Sequence, residues 1–353
     1  MTNGSTGEVI GLDLSDQEGT YVVLSEAGQV VRDGKVKLTP AGLEKFFGGR
    51  EPCLVALEVG THSPWVSRAL ALLGYEVIVA NPRQIRLIYR GGKKNDRLDA
   101  ENLARLARVD PALLKPIKHR GEEAQADLSL VRARKGLVEV RTSLINRARG
   151  MVKGFGGRIP GCSAASFARK ARPYVPEQLK KSVEHLLNMI AELTKEIGDC
   201  DKEIKELART RYPETAILRQ VGGVGPQGSL TYVLTLEEPQ RFRRSREVGG
   251  YLGLVSRQGQ SGEQKPQLHI TKTGDVLLRT LMVQSAQYIL GRHGPDTDLR
   301  RWGLKLAGSG NKTAKKKAIV AVARKLAVLL HRLWITGEVY EPLRQARLME
   351  EAA

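Results

Sequence analysis

The sequence predicts a mixed α/β front joined to a mainly helical remainder, and three observations carry that prediction. Short β-branched runs crowd the first 80 residues, separated by turn residues. From about Gly121 to Arg211 those runs vanish and apolar residues recur at a helical spacing. The charge divides with them: residues 1–80 carry six basic and ten acidic groups, so a chain of net +19 holds +23 in the rest.

Residues 8–14, 20–24 and 28–32 read as a three-strand antiparallel meander, turned at Asp16, Gly19 and Gly28. A helix at 41–47, a buried strand at 53–59, a helix near 63–73 and a strand at 75–80 follow, ended by Asn81-Pro82. Three antiparallel strands followed by alternating helices and parallel strands is the order of an RNase H-like fold. The chemistry of that fold sits at the carboxyl ends of its central strands.

In the middle, Leu179, Val183, Leu186, Ile190, Leu193, Ile197, Cys200, Ile204 and Leu207 alternate steps of four and three over four heptads. Leu130, Leu137, Leu144 and Met151 repeat every seventh position upstream. These helices are expected to pair as a coiled coil, within the chain or between two chains, although a plain helical spacer fits the same pattern. The Gly/Pro-rich basic segment between them suits a connector or an ordered nucleic-acid loop. The division expected is 1–118, 119–211 and 212–353.

In the third part, residues 217–226, LRQVGGVGP within them, read as a helix-hairpin-helix turn, whose glycines let backbone amides approach a phosphate; an ordinary interhelical turn fits as well. Two amphipathic helices are expected over ITKTGDVLLRTLMVQSAQYIL and KTAKKKAIVAVARKLAVLLHRLW. Their lysine-bearing starts, Lys272 and Lys315, Lys316 and Lys317, suit phosphate contact.

A soluble, packed chain with so basic a remainder points to a polyanion partner, most simply nucleic acid. Three cysteines at spacings that fit neither zinc nor a disulfide framework suggest a reducing compartment. No signal peptide or membrane span is evident, so a cytoplasmic, nucleoid-associated location is expected.

Carboxylates carry the candidate chemistry. Asp13 lies in the first strand, Glu58 at the end of the fourth, and Asp96 and Asp99 are i and i+3 on a helix. In an RNase H-like arrangement the four converge. Such a cluster repels itself unless hard cations neutralise it, and Mg²⁺ with its oxygen preference suits phosphodiester cleavage. Taken singly, Asp13 reads equally as a turn cap and Asp96 as a helix N-cap. Just ahead of Asp96 stand Arg83, Arg86, Arg90, Lys93 and Lys94, with Arg97 beyond it, a set suited to leading phosphates toward metal.

On LDLS with Asp13, ALEVGTHSPW with Glu58, NPRQIRLIYRGGKKNDRLDAENLARL, LRQVGGVGP, RFRRSREVGGYLGLVSRQGQSGEQ and HITKTGDVLLRTLMVQSA, the chain resembles the DEDD-type insertion-sequence transposases. These are relatives of the Piv/MooV invertases, described as bridge-RNA-guided serine recombinases. Relatives often have Thr where this chain has Asn95. The resemblance implies a RuvC-like DEDD nuclease domain, a coiled-coil linker and a C-terminal transposase domain with a nucleophilic serine. By motif match that serine is Ser261, with Ser256 second. On residues alone Ser261-Gly262 is a loop turn.

The resemblance further implies donor and target DNA, a guide RNA, and a homodimer or tetramer in which one subunit's metal domain faces another's serine. Two other readings stay open. One is a metal-only RNase H-like nuclease or junction resolvase in which water attacks. The other is a non-catalytic nucleic-acid-binding protein on a decayed nuclease fold.

Overall fold

A β-branched meander forms the start of the sheet, buried on both faces along β1 and β2 and largely open along β3. β1 (Val9–Leu14), β2 (Glu18–Leu24) and β3 (Val30–Lys37) run antiparallel, and β4 (Leu54–Glu58) and β5 (Glu76–Ala80) lie parallel to β1. The strand order is β3-β2-β1-β4-β5, consistent with the RNase H-like expectation. This computed structural model describes residues 7–81, 95–259, 268–308, 310–344 and 347. The chain clusters into two units, residues 1–120 and 121–353.

In the first unit, the period-two pleat sorts the core. Ile10, Leu12, Val55 and Leu57 face α1 (Pro40–Phe47) and α2 (Ser63–Leu72), against Leu43, Phe47, Val66 and Leu70. Val9, Val22, Leu24 and Ala56 face α3 (Asp96–Val109), against Ala100, Leu103, Ala104 and Ala107. Here α3 crosses β1 at Gly11, where a β-carbon would overlap the Ala100 carbonyl oxygen and come within 2.8 Å of the Ala104 nitrogen. Replacing Gly11 by Ala is therefore expected to cost about 1–3 kcal/mol. A lowered urea midpoint with an unchanged m-value checks this; an unchanged midpoint contradicts the packing.

The second unit begins with α4 (Glu122–Gly154), followed by the short α5 (Phe167–Ala171) and α6 (Lys180–Thr210). The apolar stripe of α6 closes within the chain: Val183, Leu187, Ile190, Ile197 and Ile204 are buried, and α4 packs along it. The α4 heptad positions Leu130, Leu137, Leu144 and Met151 are only half-buried. Two separate cores form instead. Near the start of α4, Ala124, Leu128 and Val131 meet Ile204 and Ala208. Near its end, Ala148 and Val152 meet Phe167, Leu179, Val183 and Leu187. Between them the contacts turn polar: Arg134 donates to both Asp201 oxygens at 2.6 and 3.1 Å, and Arg141 to Thr194 Oγ1 at 3.3 Å. The described contacts thus give a helical hairpin with a polar waist.

Beyond α6 come α7 (Thr215–Leu218) and α8 (Pro226–Leu236). Every residue from Gly228 to Leu236 is buried, because α8 forms the centre of this part. Around it stand α9 (Glu247–Tyr251), α10 (Val276–Leu290), α11 (Asp298–Ala307) and α12 (Lys312–Thr336). The expected helix-hairpin-helix is not seen. Its first helix is one turn long, and Gly223, at φ +93°, sits against Tyr288 and Ile289, so the close approach serves internal packing. The helix expected from Ile270 begins at Val276, capped by Asp275; Lys272 lies ahead of it with φ +55°. No helix among the described residues is long and apolar enough to cross a membrane. The three cysteines are free.

Candidate active site and nucleic-acid groove

The sheet brings two of the predicted acids, Asp13 and Glu58, to one end of one face, and the helix that covers this face carries Asp96 and Asp99 in its first turn. Asp13 follows Gly11 by two residues on β1, so it shares the face covered by α3. On parallel β4, Gly11 pairs with Ala56 and Leu12 with Leu57, which sets Glu58 level with Asp13 and on that same face. Each lies at the carboxyl end of its strand, half-buried.

The helix supplies the other two by its own periodicity. Ala100 and Ala104 form one sheet-facing row and Leu103 and Ala107 another; one turn back these rows read Asp96 and Asp99. The direction of α3 is fixed at its other end, where Arg108 donates to the Glu26 carbonyl at 2.9 Å beside the β2–β3 turn. Its first turn therefore points toward the ends of β1 and β4. Both acids also stand at the positive end of the helix dipole, which lowers the cost of gathering negative charge there.

The cap of α3 is Asn95, whose side chain accepts from the Arg97 amide at 3.0 Å. Asp96 is thereby the first helical residue, and its carboxylate is not used as the cap. Arg97, expected on nucleic acid, donates to Asp33 at 3.0 and 3.1 Å and to Glu101 at 3.4 Å. The hydrogen bond to Asp33 pushes its guanidinium pKa up further. A phosphate would compete with those carboxylates for it.

The donor set, four carboxylates with oxygen ligands only, suits a hard cation such as Mg²⁺. Among the described residues no three His, Cys, Asp or Glu side chains stand close enough to hold a metal ion as placed. Asp13 and Glu58 share an end of the sheet, then, without the four acids forming a closed ligand set.

In the second unit, residues 253–257 and 268–272 approach as a short ladder. Ser256 pairs with Ile270, the Thr271 amide donates to the Val255 carbonyl and the Arg257 amide to that of His269, both at 2.9 Å. Ser261 lies outside the described residues, between the two sides of this ladder in sequence. Arg83, Arg86, Arg90, Lys93 and Lys94 lie outside them as well. Ser256 is described and lines a groove of about 1390 Å³. Arg246, Lys272, Lys316, Lys317, Arg324 and Arg332 contribute to that groove, over apolar residues such as Leu254, Trp302 and Val320. Trp302 carries the Lys325 ammonium 3.9 Å from its ring centroid.

Exposed Lys315, Lys316 and Lys317 crowd the start of α12, which has no acidic residue in its first turn. Cations there oppose the helix dipole, and an approaching phosphate relieves both.

Sequence reasoning missed Gly11 and the capping role of Asn95, which position the acids without being acids. The signal for Gly11 was a lone glycine inside an otherwise β-branched strand, VIGLDL, a mark of close backbone approach.

With this geometry in place, known proteins add two matches. Residues 10–156 match the DEDD IS110 transposase profile, and residues 215–300 match that of the IS116/IS110/IS902 transposase family. Among curated relatives, a probable family 20 transposase of Pseudomonas aeruginosa is 29% identical over 341 residues, covering 94% of this chain and 98% of its own. The transposase for insertion sequence element IS1111A of Coxiella burnetii is 26% identical over 347 residues, with 94% and 91% covered. The transposase for IS1328 of Yersinia enterocolitica is 28% identical, with 80% and 84% covered.

Proposed function

We propose that this chain, whose residues 10–156 and 215–300 match the two IS110/IS116 transposase profiles and whose relatives are transposases, cuts and rejoins donor and target DNA through a transient phosphoserine, guided by an RNA. What supports the reading is that Asp13 and Glu58 stand level at the carboxyl ends of β1 and β4, while Asp96 and Asp99 occupy the first turn of the helix that covers that face. In this reading those four residues hold Mg²⁺, which supplies charge stabilisation for the developing negative oxygens when bound.

Ser261 is the nucleophile in this reading. Its Oγ–phosphorus bond forms as a backbone P–O bond breaks, and the departing sugar oxygen leaves as a hydroxyl. The link keeps the phosphodiester energy for strand exchange, so no ATP is needed, and the sequence has no GxxxxGK[ST] loop. The basic groove beside Ser256 would hold backbone phosphates while base pairing with a bridge RNA reads sequence. The domain division is proposed as 1–118 nuclease, 119–211 linker and 212–353 transposase domain. A dimer or tetramer would set one subunit's acids against another's serine, acting on cytoplasmic DNA.

The test is reconstitution. Purified protein, a donor-junction plasmid and a target plasmid are incubated with Mg²⁺, with or without RNA transcribed from the element's flank. Recombinant product requiring both RNA and Mg²⁺ is expected. Product formed equally without RNA would remove the guide from the account.

A further inference from the structure

The far end of the α4–α6 hairpin carries a feature that the strand-exchange reading does not use. From Arg147 to Lys181 the chain holds nine Lys and Arg against Glu177 as the single acid. The segment is ordered by its own core: Ala148 and Val152 of α4, Ile159, Phe167 and Ala171 of the connection, and Leu179 and Val183 at the start of α6. By helix rise, Ala148 stands about 25 Å along α4 from Val131, where the helix is rooted in its other core. The hairpin is an arm with a small folded head.

Three of the nine cations have local partners. Arg149 donates to the Ile159 and Pro160 carbonyls at 2.7 and 3.1 Å and lies over the Phe167 ring, so it holds the head together. Arg172 pairs with Glu184 at 2.9 Å, and Lys180 with Glu177 at 2.5 Å. The other six, Arg147, Lys153, Arg158, Arg169, Lys170 and Lys181, are exposed and have no carboxylate partner among the described residues. Elsewhere arginines find acids, as Arg105 does Glu101, Arg211 does Asp127 and Arg301 does Asp296. Six unpaired cations on one small head repel one another, and that repulsion is relieved by an external polyanion.

Two aromatic rings are also left in water on this head. Phe155, directly after α4, is 58% exposed, and Tyr174 is 49% exposed. Duplex phosphates need the cations alone, whereas unpaired bases also present faces that stack on such rings. We propose that the head of the α4–α6 hairpin is a binding surface for a single-stranded or looped segment of nucleic acid, its cations meeting phosphates and Phe155 and Tyr174 stacking bases. It takes from the proposed function only that the ligand is nucleic acid, and it is independent of the nucleophile. A second copy of the head is a poor occupant, being equally cationic.

The experiment measures binding of the full chain, carrying Ser261→Ala to prevent chemistry, to mixed-sequence single-stranded RNA, single-stranded DNA and duplex DNA across a salt series. One variant replaces Lys153, Arg158, Arg169 and Lys170 by Gln; another is Phe155→Ala with Tyr174→Ala. All six side chains are exposed, and circular dichroism verifies folding. The charge variant is expected to bind single strands at least tenfold more weakly, with a log K against log salt slope shallower by about 2.8, at roughly 0.7 per lost contact. The aromatic variant is expected to lose about tenfold on single strands and nothing on duplex. Preference for the RNA or the DNA strand identifies the source of the segment. Unchanged affinity and slope in both variants would overturn the proposal. So would equal losses on duplex and single strands with no aromatic effect, or a change of oligomeric state alone. Loss of recombination in Ser261→Ala with intact oligonucleotide binding leaves this surface standing whatever becomes of the nucleophile.

Discussion

Asp13→Asn is expected to abolish DNA cleavage while leaving the fold intact. Asp13 is half-buried at the end of β1, level with Glu58, with the first turn of α3 directed toward both. Substituting the amide keeps the shape of the side chain, so the fold is expected to hold. The loss falls on the chemistry. Removing one of the carboxylates that would neutralise Mg²⁺ is expected to cost several kcal/mol of transition-state stabilisation; about 4 kcal/mol is a thousandfold in rate. A readout apart from activity is available. Mg²⁺ is expected to raise the melting temperature of the wild type, by an amount equivalent to about 2.7 kcal/mol at a hundredfold excess over Kd, and to leave Asp13→Asn unmoved. Glu58→Gln is expected to behave likewise. Equal Mg²⁺ responses in wild type and both variants would remove these acids from the metal site.

Ser261→Ala is expected to remove all covalent protein–DNA adduct and all strand exchange, while Ser256→Ala retains both. A hydroxyl nucleophile has no substitute within its own side chain, and losses on the order of 10⁶-fold accompany its removal in other enzymes. Ser256 serves as the internal control because the chain pairs it with Ile270 and places it on the wall of the groove. If Ser256→Ala abolishes the adduct and Ser261→Ala does not, the nucleophile is reassigned to the ladder. If Ser261→Ala still cleaves, water is the attacking group, and the metal-only nuclease reading takes over.

How far these arguments were legible in the sequence depends on which interactions decided each element. The strands were legible because Val9–Leu14, Glu18–Leu24 and Leu54–Glu58 are short β-branched runs whose burial is decided locally. The strand ends that carry Asp13 and Glu58 followed from those strands, and the helix row that joins Asp96 to Ala100 from its period, whereas a closed ligand set of the four is not seen among the described residues. What decided α3's exact seat was a tertiary contact, Gly11 against Ala100, which no period in the sequence displays. The heptad reading of α4 overreached for a similar reason. Leu137 and Leu144 fall on the expected seam, yet the Arg134–Asp201 pair occupies the waist and moves the cores to Leu128 and Val131 at one end and Ala148 and Val152 at the other. In LRQVGGVGP the glycine pattern was visible but its partner was not, since Tyr288 and Ile289 lie more than sixty residues away. Local chemistry overrode periodicity at Ile270–Asp275. There the ladder to Gly253–Arg257 and a cap at Asp275 delay the helix to Val276.

The most direct test of the central claim is the identity of the residue that carries DNA during exchange. The reaction is quenched in SDS, the adduct is digested with protease and nuclease, and the nucleotide-bearing peptide is sequenced by mass spectrometry. The account predicts a phosphoester on Ser261, formed in wild type and absent when Asp13 is replaced by Asn. Cleaved DNA with free ends and no modified peptide would contradict it.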